Sequence, residues 1–160
     1  MKVLGIDIGT TTISLVVLDP EQKKVWESRT ISNGTFMETA REWERIQDVN
    51  KIVEKTREAL EGLLHAYPEV SSIGLTGQMH GILYVDREGR CISPLYTWQD
   101  GRGNVPDEQG KTLTEMVQEK TGITVFTGYG LVTHLWNRLY GEVPEEAVGI
   151  CTIADYLGMC

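Results

Sequence analysis

Apolar positions in the first third of the chain fall in short blocks separated by turn formers. Val3 to Ile8 is an apolar run that closes on Asp7-Ile8-Gly9-Thr10, and a second, β-branched run covers Ile13 to Leu18 after Thr10-Thr11-Thr12. Both predict strands joined by a tight Gly/Thr turn. Asp19-Pro20 interrupts the second run, and Lys24 to Ser32, with Val25, Ser28, Thr30 and Ile31, predicts a third strand. Lys23-Lys24 belongs to the polar turn between them. The opening is therefore an antiparallel meander.

Asn33 to Gln47 has no clean period and predicts an irregular loop. The period then changes to a helical one. Val49, Ile52, Val53, Thr56, Leu60, Leu63 and Leu64 share one face, Asp48 is placed to cap the amino end, and Pro68 sits just past the other. Ser72 to Gly77 predicts a buried strand, with Ile82 to Asp86 as its neighbour before an Asp86-Arg87-Glu88-Gly89 turn. Helices are predicted near Lys111 to Lys120 and Leu131 to Tyr140, a strand at Val148 to Thr152, and a helix from Ala154. In the helix around Trp136, the set Leu135, Trp136, Leu139 and Tyr140 reads as core, and His65 and His134 as surface or packing residues. A meander followed by alternating helix and strand is the order of an α/β fold with a mixed sheet.

A length of 160 residues fits one domain, or one piece of a larger one. No apolar stretch is continuous enough for a bilayer span, and Asp7 interrupts the first apolar run, which is not the core of a signal peptide. A net charge of -8 without a basic stripe repels nucleic-acid phosphates. Cys91, Cys151 and Cys160 are odd in number and widely spaced, which fits reduced thiols used in packing and a cytoplasmic protein better than disulfides or a zinc site.

Three segments carry candidate chemistry. In Gly5-Ile6-Asp7-Ile8-Gly9-Thr10-Thr11-Thr12 the glycine allows close backbone approach, the turn's N–H groups can form an anion nest, and the threonine hydroxyls add donors for a phosphate. Asp7, at a strand end beside such phosphates, is placed to meet a magnesium ion. A solvated Asp on an ordinary hairpin is the alternative. In Thr76-Gly77-Gln78-Met79-His80-Gly81 the flanking glycines let Gln78, Met79 and His80 turn into a cavity at a strand end, with polar groups suited to a polyol; a packed histidine is the alternative. In Tyr96-Thr97-Trp98-Gln99-Asp100-Gly101-Arg102-Gly103, Trp98 could stack on a sugar face while Asp100 and Arg102 bond hydroxyls. The same residues could equally form a turn pinned by an Asp-Arg ion pair and a packed indole.

Taken together and in this order, the three segments resemble the amino-terminal domain of the FGGY carbohydrate kinases. Leu95 to Arg102 and Thr127-Gly128-Tyr129-Gly130 resemble most the sedoheptulokinase branch, then the xylulokinases, and Asp155-Tyr156-Leu157 matches a further segment. The resemblance implies an actin-like, ribonuclease-H-like fold and transfer of the γ-phosphoryl group of ATP, with Mg2+, to a hydroxyl of a ketose such as sedoheptulose. It implies Asp7 as the catalytic and metal-side carboxylate, Gly9, Thr10 and Thr11 at the phosphates, and Gln78, Met79, His80, Trp98, Asp100 and Arg102 forming or supporting the sugar pocket. Partners would be the sugar and ATP, with self-association left open. By the same resemblance, residues 1–160 form part of the sugar-binding domain, and the general base and an adenosine-binding second domain lie outside them, so this stretch alone is expected to be inactive. Two departures stand out. Ser14 occupies a position where several relatives carry a basic residue, and Val132-Thr133 replaces a Pro-Lys of many xylulokinases. A non-catalytic sugar-binding or scaffold protein and another actin-like ATPase are the rival readings.

Overall fold

The computed structural model describes residues 1–160. The meander forms as the pattern requires: β1 (Lys2–Ile8), β2 (Thr12–Asp19) and β3 (Lys24–Ser32) are antiparallel neighbours. The β1–β2 register runs from Val3 opposite Leu18 to Ile8 opposite Ile13. Period-two alternation puts Leu4, Ile6 and Ile8 of β1 and Ile13, Leu15 and Val17 of β2 on one face, and all six are buried. α1 (Val49–Ala66) covers that face with Val49, Ile52, Ala59 and Leu63. Each of these Leu, Ile and Val side chains contributes roughly 1.5–3 kcal/mol on leaving water, before the entropy of ordering it is subtracted.

α1 starts where the sequence places it. The Asp48 carboxylate accepts the Lys51 N–H at 3.1 Å, and the Tyr67 N–H closes the last turn on the Leu63 carbonyl at 2.8 Å before Pro68. The chain returns as β5 (Val70–Gly77), parallel to β1, giving the mixed order β3-β2-β1-β5.

The later elements depart from expectation in two places. β5 is not a buried strand: it lies at the sheet edge, and Ile73 and Leu75 remain exposed. Ile82 to Asp86 is not its neighbour either. Only Leu83–Val85 is extended (β6), and it pairs antiparallel with β8 (Gly149–Cys151) in a separate two-stranded sheet. The cause is the link between them, where His80 takes a left-handed conformation at φ 67° and turns the chain out of the main sheet. The Asn33–Gln47 loop contributes one short strand, β4 (Ile46–Gln47), which pairs with β7 (Leu95–Tyr96).

Three helices follow: α2 (Leu113–Thr121), opened by a Thr112/Glu115 capping box, α3 (Gly130–Leu139) and α4 (Ile153–Met159), which seals the core with Ile153. The face that α3 buries is Val132, Thr133, Trp136 and Asn137. Of the four apolar residues expected in the core there, only Trp136 is buried; Leu135, Leu139 and Tyr140 are exposed. Cys91 and Cys151 pack at the core margin as free thiols, and Cys160 is exposed. No helix is long and apolar enough to cross a membrane.

Candidate functional site

The β1–β2 turn and the two later segments converge. At the turn, the Gly9 N–H donates to the Thr12 carbonyl at 2.9 Å, and a Cβ on Gly9 would come within 3.0 Å of that carbonyl oxygen. Asn33 buttresses the turn from below: its amide Nδ2 donates to the Gly9 carbonyl at 2.8 Å and its backbone N–H to the Thr11 carbonyl at 2.9 Å. The N–H groups of Thr10 and Thr11 donate to nothing within the chain, so two adjacent donors remain for an anion. Asp7, one residue before the end of β1, is exposed on the sheet face opposite α1 and lines a shallow cavity of about 350 Å³ with Gly5, Ser14 and Thr76. Ser14 shares a hydrogen bond with Thr30 at 3.0 Å across the strands.

Beside the turn lies a larger cavity of about 680 Å³, walled by Arg45, His80, Trp98, Gln99, Phe126, Thr127, Gly128 and Tyr129. His80 and Trp98 are there as expected. The His80 ring stacks on Tyr129, and Tyr129 meets Phe126 edge to face at 5.6 Å. Trp98, half exposed, reaches back to the turn and donates from its indole Nε1 to the Thr10 hydroxyl at 2.9 Å. Gly128 (φ 80°) passes so close to the Trp98 backbone that a Cβ there would lie 1.8 Å from the Trp98 carbonyl oxygen.

The other expected pocket residues stand elsewhere. Met79 is 72% exposed and lies outside the cavity wall. Gln78 is buried; its Nε2 donates to Gln47 at 2.9 Å and its Oε1 accepts from Thr10 at 3.3 Å. Asp100 and Arg102 are wholly buried and do not line the cavity. They form the ion pair of the alternative reading instead. Arg102 Nε donates to Asp100 Oδ1 at 2.7 Å and Nη2 to Oδ2 at 3.1 Å, a bidentate fork. The remaining Arg102 donors go to Asn137 Oδ1 and, at 3.3 Å, to Glu44. The guanidinium lies 4.3 Å from the Tyr96 ring centroid, with Trp43 and Trp136 close by. Asp100 in turn accepts the Arg45 N–H at 3.0 Å, and its carbonyl accepts from the Thr127 hydroxyl at 3.0 Å. This buried pair therefore clamps the Trp98 loop to the Arg45 loop and the Thr127 segment, and supports the cavity from beneath. Burial also pushes the Tyr96 phenol up to about 12, against the lowering pull of Arg102.

Arg45, Gln47, Phe126 and Tyr129 were not legible as site residues. Arg45 and Gln47 fall in the aperiodic loop, and Phe126 and Tyr129 are aromatic residues without a charged companion in the sequence. The glycines at 128 and 130 were the available signal, since both permit backbone contact with the Trp98 and His80 turns.

Residues 2–160 match the model for the FGGY family of carbohydrate kinases, N-terminal domain. The chain is 32% identical to the sedoheptulokinase of Mus musculus, covering 96% of this chain and 36% of that protein. It is likewise 32% identical to the xylulose kinase of Escherichia coli, covering 96% of this chain and 32% of the other. The chain thus spans about a third of the length of the curated relatives it matches. Among solved structures, it superposes on a "xyloylose kinase" from Brucella ovis with a TM-score of 0.79 at 25% identity, over 99% of this chain and 34% of that one. A ligand-bound xylulose kinase from Lactobacillus acidophilus shares the fold with a TM-score of 0.77 at 20% identity, over 98% and 32% of the two chains. The mixed β3-β2-β1-β5 sheet is accordingly part of an actin-like ATPase fold. With the family model matched over nearly its whole length, the chain belongs to the FGGY family of carbohydrate kinases.

Proposed function

We propose that these residues form the sugar-binding part of an ATP-dependent kinase that phosphorylates a five- or seven-carbon ketose. The observation that carries the reading is the abutment of an anion-ready turn on a polyol-sized aromatic cavity, joined by the Trp98–Thr10 hydrogen bond. A phosphoryl acceptor and donor must meet in line within a few ångströms, and phosphoryl transfer needs chiefly positioning and charge neutralisation. The similarity to sedoheptulokinase and xylulose kinases supports a ketose.

In this reading Trp98 and Tyr129 present aromatic faces to the sugar, and His80 and Arg45 supply polar contacts. The Thr10 and Thr11 N–H groups hold phosphate oxygens, with Gly9 allowing their approach. Gln78, Asp100 and Arg102 hold the walls in place, and Met79 stays exposed outside them. Asp7 is a single exposed carboxylate, and no cluster of three metal-ligating side chains exists. That donor set fits Mg2+ carried in on ATP phosphates, which characteristically takes one or two carboxylates and keeps its waters. When bound, the ion would supply charge neutralisation at the phosphates. By the family resemblance, the general base and the adenosine site lie outside residues 1–160.

A coupled ADP-release assay on the full-length protein tests the assignment. Sedoheptulose or xylulose should be turned over in preference to glycerol; equal rates with glycerol would sink the ketose reading. In the same assay Asp7→Asn should depress kcat far more than it raises the sugar KM, because a charge facing the phosphates matters most in the transition state. A sugar KM effect with kcat intact would move Asp7 to the other site.

A further inference from the structure

We propose that the Thr10 hydroxyl is a positioning group for the sugar cavity and not a phosphate donor, an inference that rests on the reading of that cavity given above. Its side chain sits in a closed ring of three hydrogen bonds. Gln47 Nε2 donates to the Thr10 carbonyl at 2.9 Å, Gln78 Nε2 donates to Gln47 Oε1 at 2.9 Å, and the Thr10 hydroxyl donates to Gln78 Oε1 at 3.3 Å. All three residues are buried.

The direction of the ring follows from chemistry alone. A carbonyl oxygen only accepts, so Gln47 must turn its NH₂ toward Thr10. Gln47 Oε1 then faces Gln78 and must receive a donor, which fixes the Gln78 NH₂ there. Reversing either amide would bring two acceptors to 2.9 Å. Gln78 Oε1 is left facing the Thr10 hydroxyl, which donates its one proton there at 3.3 Å. The indole Nε1–H of Trp98 can only donate, and it takes a hydroxyl lone pair at 2.9 Å. Phosphate oxygens under kinase conditions are acceptors, and the Thr10 hydroxyl has no proton left for one. The exposed Thr11 hydroxyl and the two free N–H groups remain the phosphate contacts of the turn.

Two consequences follow. Trp98, half exposed and on a loop, has its indole orientation fixed by a residue of the phosphate turn. A displacement of that turn on nucleotide binding therefore reaches the aromatic wall of the sugar cavity through one atom.

The test uses the full-length protein with Thr10→Val, which keeps shape but removes both hydrogen-bonding roles, and Thr10→Ser, which keeps them. Thr10→Val should raise the ketose KM by roughly tenfold, the equivalent of one lost hydrogen bond with a buried group unsatisfied, while the ATP KM changes less than about twofold. Thr10→Ser should restore the wild-type ketose KM. A readout independent of turnover is the indole N–H resonance of Trp98, identified by its loss in Trp98→Phe: it should exchange slowly with solvent in the wild type and in Thr10→Ser, and rapidly in Thr10→Val. A raised ATP KM with an unchanged ketose KM in Thr10→Val overturns the proposal, as does an indole resonance that exchanges equally fast in wild type and Thr10→Val. If Thr10→Val fails to fold, Thr10→Ala, which also removes the hydroxyl, is read by the same two KM values and the same indole exchange. A wild-type protein that turns over no ketose, yet shows the protected indole, refutes the functional reading while leaving the hydroxyl's orientation of Trp98 standing.

Discussion

The imidazole of His80 lies against the phenol ring of Tyr129, with 4.5 Å between centroids and 19° between planes. The stack joins a residue in the turn after β5 to the residue that opens α3, and the His80 backbone is left-handed there. A non-glycine residue held in that region is strained, by about 1 kcal/mol or more, and persists because its surroundings enforce it. Gly130 belongs to those surroundings: a Cβ on it would lie 2.9 Å from the His80 carbonyl oxygen and 2.5 Å from Ile82.

His80→Ala and His80→Gly should therefore weaken ketose binding alike, since both lack the ring, but differ in stability. The glycine variant should be more stable than the alanine variant by about 1 kcal/mol, because only alanine retains the left-handed penalty. Calorimetric titration beside a chemical denaturation curve checks both halves. Equal stability of the two variants would contradict the backbone assignment, and unchanged affinity would retire the sugar contact.

Gly128→Ala should be among the most disruptive single-methyl additions in the chain. The added carbon would collide with the Trp98 carbonyl at a distance no relaxation of a side chain can relieve, and the residue already needs φ 80°. A loss of about 2 kcal/mol or more is expected, with the ketose KM raised in whatever folds, read from a denaturant midpoint and a kinetic assay.

Arg102→Lys should behave as a severe substitution despite keeping the charge. Lysine cannot reproduce the bidentate fork on Asp100 while also reaching Asn137 and Glu44, and the burial of Asp100 leaves an incompletely compensated carboxylate. The expected cost is about 3 kcal/mol, measured as a shift in denaturant midpoint; a shift within about 0.5 kcal/mol would show the clamp to be dispensable.

Alkali should weaken the fold through Tyr96. Its phenol is held neutral by burial up to about 12, while in the unfolded chain it ionises near 10. A pKa raised by folding gives stability that is fully present below pH 10 and is lost as pH climbs from there toward 12. Denaturation curves across that window should fall more steeply for the wild type than for Tyr96→Phe. Parallel curves would mean that Tyr96 ionises as freely folded as unfolded.

The meander, α1 and the polar turn were legible because one periodicity governs each: alternate residues of β1 and β2 meet the same layer, and Asp48 and Pro68 bracket a single apolar stripe. The later half was less legible for a physical reason. Arg102 needs buried acceptors, and α3 supplies one from Asn137 on its inward face, so that face is partly polar and the apolar Leu135, Leu139 and Tyr140 turn outward. A hydrophobic pattern cannot report a core organised around a charge. At the site, the segments were visible but the assignment of side chains to roles was not. Gln78 and Thr10 have the composition of ligand-binding residues, and only the structure shows their side chains hydrogen-bonded to one another.

The position of β5 bears on how residues 1–160 behave in solution on their own. Its inner edge is satisfied by β1, whereas along its outer edge alternate backbone N–H and C=O groups have no strand beside them, and the exposed Ile73 and Leu75 share that strand. Such an edge is a template, because any extended chain that reaches it gains a ladder of hydrogen bonds and covers two aliphatic side chains. Residues 1–160 produced by themselves at high concentration should thus self-associate along β5, and a lysine at position 73 should suppress that association with little effect on the meander. Light scattering of the isolated domain and of Ile73→Lys would show it, and a concentration-independent monomer would mean that α4, packed against β5, already shields the edge.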